Sequence, residues 1–222
     1  VSEAALAWFY CPSRRVNYKS GTNPATATSR NDYAGCAGFL VGSMYGCSNG
    51  NWIPAPPNGS TPNDGLLSSS TWNRGNVAGM KGAIVWSGLG AVRRVADVVD
   101  GTSNSILAGE KSLPWQVFGS DGGDNEMWQN SGWDEDCVRF HFPPIADGLA
   151  PPYYGICNNP PNPYASSTGT VWRKMFGSAH PSGTNLLFAD GSVHLIKFSV
   201  SADTFRKIAV IDDQGVIDAG SY

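Results

Sequence analysis

The stretch that most constrains this chain is "NLLFADGSVHLI", residues 185–196. Two apolar runs are separated by Asp190-Gly191, the strongest short-range hairpin signal a sequence can carry. A two-residue type I′ turn needs φ > 0 at both central positions, which Asp tolerates and Gly prefers. Pairing across such a turn sets Phe188 opposite Val193 and Leu186 opposite Leu195 on one face. Leu187, His194 and Ile196 then share the other, so both faces are expected to be at least half buried. The terminal hairpin spans 185–198. "SADTFRKIAV" follows as a short amphipathic helix behind the N-cap Ser201, with Phe205 and Ile208 turned inward.

Upstream, the pattern is strands with a few helices. "SILAGE" and "DCVRFHF" read as strands, the latter with Val138, Phe140 and Phe142 on one face. "KGAIVWSG" (81–88) reads as a buried strand between glycines. Val92, Val95, Ala96 and Val99 recur at helical spacing until Asp100-Gly101 breaks the pattern. Residues 3–9 are a candidate short helix behind Ser2. Residues 20–80 and 143–170 are Gly-, Asn- and Pro-rich and are expected to be loop insertions. The fold class is α+β, as one domain over residues 1–222.

The 222 residues hold Lys+Arg 15 against Asp+Glu 18, a net charge of -3, with no basic stripe. A nucleic-acid or anionic-membrane binder is not expected. Gly and Pro make up about 19% of the chain, above a usual ~12%, and the 15% of charged residues is below a usual ~25%. Such a composition fits a loop-rich exported or assembled protein. No apolar run approaches the ~20 residues that span a bilayer. The opening "VSEAALAWFYCPSRR" reads as the interior of a longer protein.

None of the five cysteines forms a C-x-x-C, so a zinc ribbon or thioredoxin motif is not expected. Cys36 and Cys47 bracket a Gly-rich loop, and Cys137 and Cys157 a Pro-rich one. One reading is two local bridges with Cys11 left over, although four paired cysteines allow three connectivities. The other is five buried free thiols in a reduced compartment.

Candidate chemistry is sparse. "GCSNG" matches G-x-S-x-G around Ser48, but "NWIPAPPNG" follows, and a nucleophile elbow needs a helix there. His180 sits in the turn "AHPSG". A triad would need a nucleophile and a carboxylate to converge on it, and the pattern supplies neither. His141 and His194 fall in expected strands, so a metal centre built on histidine is not expected. No residue is therefore assigned a catalytic role. The acidic stretch 119–137 holds Asp121, Asp124, Glu126, Asp134, Glu135 and Asp136, with glycines that allow tight folding. Hard cations take six to eight oxygens from flexible loops, so a calcium site drawing on Asp121, Asp124, Asp134 and Asp136 is the expectation, against a solvated acidic loop. Eight Trp are more often packing than sugar platforms.

Five ordered blocks carry a resemblance. They are "FYCPSRR" (9–15), "NDYAGCAG" (31–38), "DVVDGTSNSILAGEKSL" (97–113), "NSGWDEDCVRF" (130–140) and the His180–nine residues–Asp190-Gly191 box. Together they resemble a large bacterial family of prepilin-like proteins whose domain is of unknown function and is sometimes catalogued as solute-binding. The resemblance implies a pilin or pseudopilin architecture: an N-terminal α-helix, absent from this sequence, and a globular head on an antiparallel sheet. It also implies export, with a place in the periplasm, at the cell surface or outside the cell. The partners it implies are other pilin-like subunits in a homo-oligomer or filament, with membrane attachment only through an upstream helix. It supplies no catalytic residue. It makes His180, Asp190 and Gly191 scaffold, and it adds weight to a loop ordered around Ca²⁺ without naming ligands. The competing function is an extracellular module that binds a glycan or small solute.

Overall fold

The structure, a computed structural model, describes residues 4–15, 19–20, 28–38, 81–85, 92–119, 123–125, 127–128, 136–148, 172–173, 175–215, 217, 220 and 222. Nine short strands and one α-helix are described. They are β1 (Lys19–Ser20), β2 (Thr28–Ser29), β3 (Tyr33–Cys36), β4 (Ile106–Glu110), β5 (Val138–Arg139), β6 (Ile145–Ala146), β7 (Gly177–Ser178), β8 (Gly183–Phe188), β9 (Val193–Lys197) and α1 (Ala202–Ala209). The main sheet has the order β5-β3-β4-β8-β9, antiparallel except for the parallel β3/β5 pair. β1/β2 and β6/β7 form separate two-stranded ladders. The domain is α+β, as runs of strand signals with few helix signals predict.

α1 forms where expected. The Ser201 hydroxyl accepts the Thr204 N–H at 3.0 Å, closing the N-terminus, and Lys207 pairs with Asp203 one turn back at 2.8 Å. Its apolar side, Phe205, Ile208 and Ala209, packs with Ile106, Leu186, Phe188 and Ile196 of the sheet in one buried cluster. Each of the Ile, Leu and Phe side chains contributes roughly 1.5–3 kcal/mol by leaving water. The helix therefore owes its place to the sheet face beneath it, since eight residues alone would not hold a helix in water.

The hairpin differs from the expectation by one position. Gly191 N–H donates to Phe188 O at 3.0 Å and Phe188 N–H to Ser192 O at 2.8 Å. Three residues, Ala189, Asp190 and Gly191, form the loop, and the pairs are Leu187↔Val193, Leu186↔His194, Asn185↔Leu195 and Thr184↔Ile196. Gly191 has φ +90° while Asp190 does not adopt positive φ. The loop is a turn closed by one left-handed residue, which asks only Gly to leave the common region; a type I′ turn would ask Asp190 as well. The Asp190 carboxylate instead accepts the Ser192 N–H and hydroxyl, at 2.9 and 2.7 Å. A one-residue slip exchanges faces. Ile196 joins Leu186 and Phe188 in the core, while Val193 and Leu195 are 62% and 48% exposed.

Four further expectations are corrected. Residues 81–85 are a bend, and they dock on β3 through Gly82 N–H to Ala37 O (3.1 Å) and Ile84 N–H to Cys36 O (3.0 Å). A Cβ at Gly38 (φ +77°) or Gly82 would run into the facing backbone, so this approach requires glycine on both sides. The valines at helical spacing make only a 3-10 turn, Val95–Asp97, closed by Asp97 on the Arg94 N–H at 2.7 Å. Val92, Val95 and Val99 are exposed. At the N-terminus only a 3-10 turn forms, Ala7–Phe9, and Ser2 lies outside the described residues. Of "DCVRFHF" only Val138–Arg139 is strand, and every residue from Val138 to Phe142 is buried, Arg139 and His141 included.

Candidate functional site

The "CPSRR" block is a tight turn, with the Arg14 and Arg15 N–H groups donating to Cys11 O at 2.9 and 3.1 Å. Asp32, at the entry to β3 and fully buried, holds the turn in place. It accepts the Cys11 N–H at 2.9 Å and Arg15 Nε at 2.7 Å. Arg14 lies inside and ties together distant segments. It donates to Asp147 (2.6 Å), Lys111 O (2.6 Å) and Gly177 O (3.1 Å). Burial pulls the Arg14 pKa down, but Asp147 and Asp32 more than offset that and raise it. Arg15 meets both oxygens of Asp124 at 2.6 Å and lies over the Phe118 ring, 4.8 Å from its centroid.

This network fixes Cys11 against two residues that are remote in sequence. Glu110 closes β4 and is buried. Its Oε2 accepts the Asn185 N–H at 2.8 Å, which leaves Oε1 directed at His180 Nε2, 3.2 Å away. His180 stands in the β7–β8 turn, its N–H donating to Ser178 Oγ (3.1 Å), which in turn donates to Gly183 O (2.7 Å). The Cys11 sulfur lies 3.7 Å from the same Nε2. Ligand-type atoms of Cys11, Glu110 and His180 all fall within 4.8 Å of one another. Cys11 and Glu110 are buried, and the His180 side chain is 26% exposed and opens the site to solvent. Burial, then the hydrogen bond to and charge of Glu110, push the Cys11 thiol up to about 11. Burial, then the charges of Cys11 and Glu110, push Tyr33 up to about 12.

The geometry separates two kinds of chemistry. A nucleophile–base–carboxylate relay uses the two imidazole nitrogens for different partners. Here thiol and carboxylate both face Nε2, and a thiol held up to about 11 is not an activated nucleophile. His180 and Asp190 do not meet either: they stand at opposite ends of β8, about 20 Å apart at ~3.3 Å per residue.

Other expected residues fall elsewhere. Asp124 is committed to Arg15 and also accepts the Gly119 N–H at 2.8 Å. Asp136 O accepts from the buried Lys111 ammonium at 3.2 Å, with Asp136 Oδ1 3.9 Å from it. The same ammonium donates to Gly123 O at 3.0 Å, and burial draws it down to about 8. The two described members of the acidic set thus face protein cations. Asp121 and Asp134 lie outside the described residues, as do Ser48, Cys47 and Cys157. Cys36, expected in a bridge, is a free thiol donating to Ala209 O at 3.4 Å, with burial pushing it up to about 12. His194 packs edge-on against Phe188 and meets Ser192 Oγ at 2.9 Å. Sequence reasoning missed Cys11 and Glu110 as partners of His180. The one signal available was that each lies in a block carrying the family resemblance.

A small α+β domain with a half-buried Cys–Glu–His cluster, held by an internal Arg–Asp network, is the class of protein these observations define. The chain belongs to the family described as "Protein of unknown function (DUF1559)", whose model matches residues 1–203. No curated protein and no solved structure matches it.

Proposed function

We propose that the chain is a non-enzymatic, exported structural subunit: the globular head of a type IV pilin- or pseudopilin-like protein. It joins other pilin-like subunits in an oligomer or filament at the cell surface, and an upstream helix provides the membrane anchor. Among the described residues, no helix is long and apolar enough to cross a membrane. The observation that carries the reading is β9, the edge strand of the main sheet among the described residues, whose Val193 and Leu195 side chains are apolar and exposed. An exposed apolar edge is a template for another chain unless it is covered. His180, Asp190 and Gly191 act as scaffold in this reading.

The test uses the full-length precursor in cells that assemble it. Val193→Asp with Leu195→Asp is expected to abolish co-assembly while leaving the melting temperature unchanged. Normal assembly of that variant refutes the reading. An esterase or peptidase activity abolished by His180→Ala would refute its non-enzymatic part. A second reading, a glycan-binding module, is favoured by Trp8 and Trp115, 78% and 69% exposed. Saturable glycan binding lost in Trp8→Ala or Trp115→Ala would establish it.

A further inference from the structure

We propose that Cys11, Glu110 and His180 form a binding site for a divalent transition metal of the zinc class. The three side chains come from three separate segments: the CPSRR turn, the end of β4 and the β7–β8 turn. They converge on one point with a sulfur, a carboxylate oxygen and an imidazole nitrogen. Bond lengths of about 2.3 Å to sulfur and about 2.0–2.2 Å to nitrogen and oxygen place tetrahedral ligands roughly 3.3–3.6 Å apart. The observed separations are 3.7 Å for Sγ–Nε2 and 3.2 Å for Nε2–Oε1. Those two separations are within a few tenths of an ångström of tetrahedral ones, and the third, between sulfur and carboxylate, is within 4.8 Å, so an ion fits once that side closes. Sulfur and carboxylate converge on a single imidazole nitrogen rather than one on each, an arrangement that suits a shared cation displacing the thiol proton.

The supporting contacts are those of a prepared site. A ligating carboxylate is oriented by a hydrogen bond to its other oxygen, and backbone bonds fix the two turns that carry the other ligands. Asp32 holds the Cys11 N–H, the Asn185 N–H holds the far oxygen of Glu110, and Ser178 holds the His180 N–H. Thiolate with imidazole selects zinc, cobalt or copper over calcium and magnesium, which want oxygen alone. With three protein ligands the fourth position takes water from the half-open His180 side. The ion would staple the CPSRR turn to the sheet, so it stabilises the native state by RT ln(1 + [L]/Kd).

The experiment titrates purified full-length chain, reduced and stripped of metal, with Co²⁺ and then Zn²⁺. One Co²⁺ per chain is expected, with tetrahedral d–d bands and a near-ultraviolet thiolate-to-cobalt charge-transfer band that Zn²⁺ erases. Zn²⁺ is expected to raise the melting temperature. In Cys11→Ser the charge-transfer band disappears, although the other four cysteines remain. In Glu110→Gln and His180→Ala the affinity falls at least tenfold. His180, being partly exposed, is the variant that keeps its fold, verified by its metal-free melting curve. No cobalt spectrum in the wild type, or a spectrum unchanged in Cys11→Ser or His180→Ala, overturns the proposal.

Discussion

Replacing Asp124 with Asn tests whether the acidic loop is held by the protein's own cations. Asp124 is fully buried and receives two Arg15 bonds of 2.6 Å and the Gly119 N–H at 2.8 Å. Asn keeps one acceptor but turns an amide donor toward a guanidinium donor, and it removes the charge that neutralises Arg15. Breaking a buried pair from one side costs about 3–5 kcal/mol, because the remaining charge stays buried. Arg15 still reaches Asp32 at 2.6 Å, so the lower end, about 3 kcal/mol, is expected. For a domain of this size 1 kcal/mol moves the midpoint by about 2–4 °C, giving a fall of roughly 6–12 °C. Arg15→Met takes the shared guanidinium from the buried carboxylates of Asp124 and Asp32 and costs at least as much. The assay is calorimetric melting of wild type and D124N, each in millimolar Ca²⁺ and in EGTA. The difference between the two proteins is expected to be the same in both buffers. A fall under about 2 °C refutes the ion-pair reasoning. A fall present in Ca²⁺ and gone in EGTA shows that calcium, not Arg15, is the counter-charge of Asp124.

Three further outcomes are expected. Gly191→Val, with open space around its Cβ but φ +90°, is destabilised by backbone strain alone, about 1–2 kcal/mol or more; an unchanged melting temperature refutes the turn geometry. His141 is buried neutral, its pKa drawn down to about 3 by burial and then by Arg206. The unfolded chain therefore binds the extra proton first, and stability is full above about pH 6.5 and falls at about 1.4 kcal/mol per unit as pH drops toward 3; chemical denaturation at stepped pH should show a shallower acid limb in His141→Phe. Ser201→Ala removes the cap of α1 and costs about 0.5–2 kcal/mol, read as a lower urea midpoint at unchanged slope.

Local chemistry was legible in the sequence wherever a few adjacent residues decide the outcome. Asp190-Gly191 announced a hairpin, Ser201 and the spacing of Phe205 and Ile208 announced α1, and "SILAGE" announced β4. The register of the hairpin was not legible. Two-residue and three-residue loops are both compatible with the same letters. What settled it was that Leu186, Phe188 and Ile196 all pack under α1 while Val193 and Leu195 do not. The valines of 92–99 misled for the same reason, since periodicity is only a request for a partner surface.

The candidate site lay further still from sequence reasoning. Cys11, Glu110 and His180 are 99 and 70 residues apart along the chain, and no spacing rule links them. Asp32 and Arg14 bring them together through buried bonds that exist only once β3, β4 and β8 lie side by side. The sequence by itself determined which short segments turn, cap and alternate, because those choices rest on backbone preferences within a few residues. Only the tertiary structure decided which buried charges pair and which atoms meet. Those interactions are strong at contact in a low dielectric and leave no periodic trace in the order of residues.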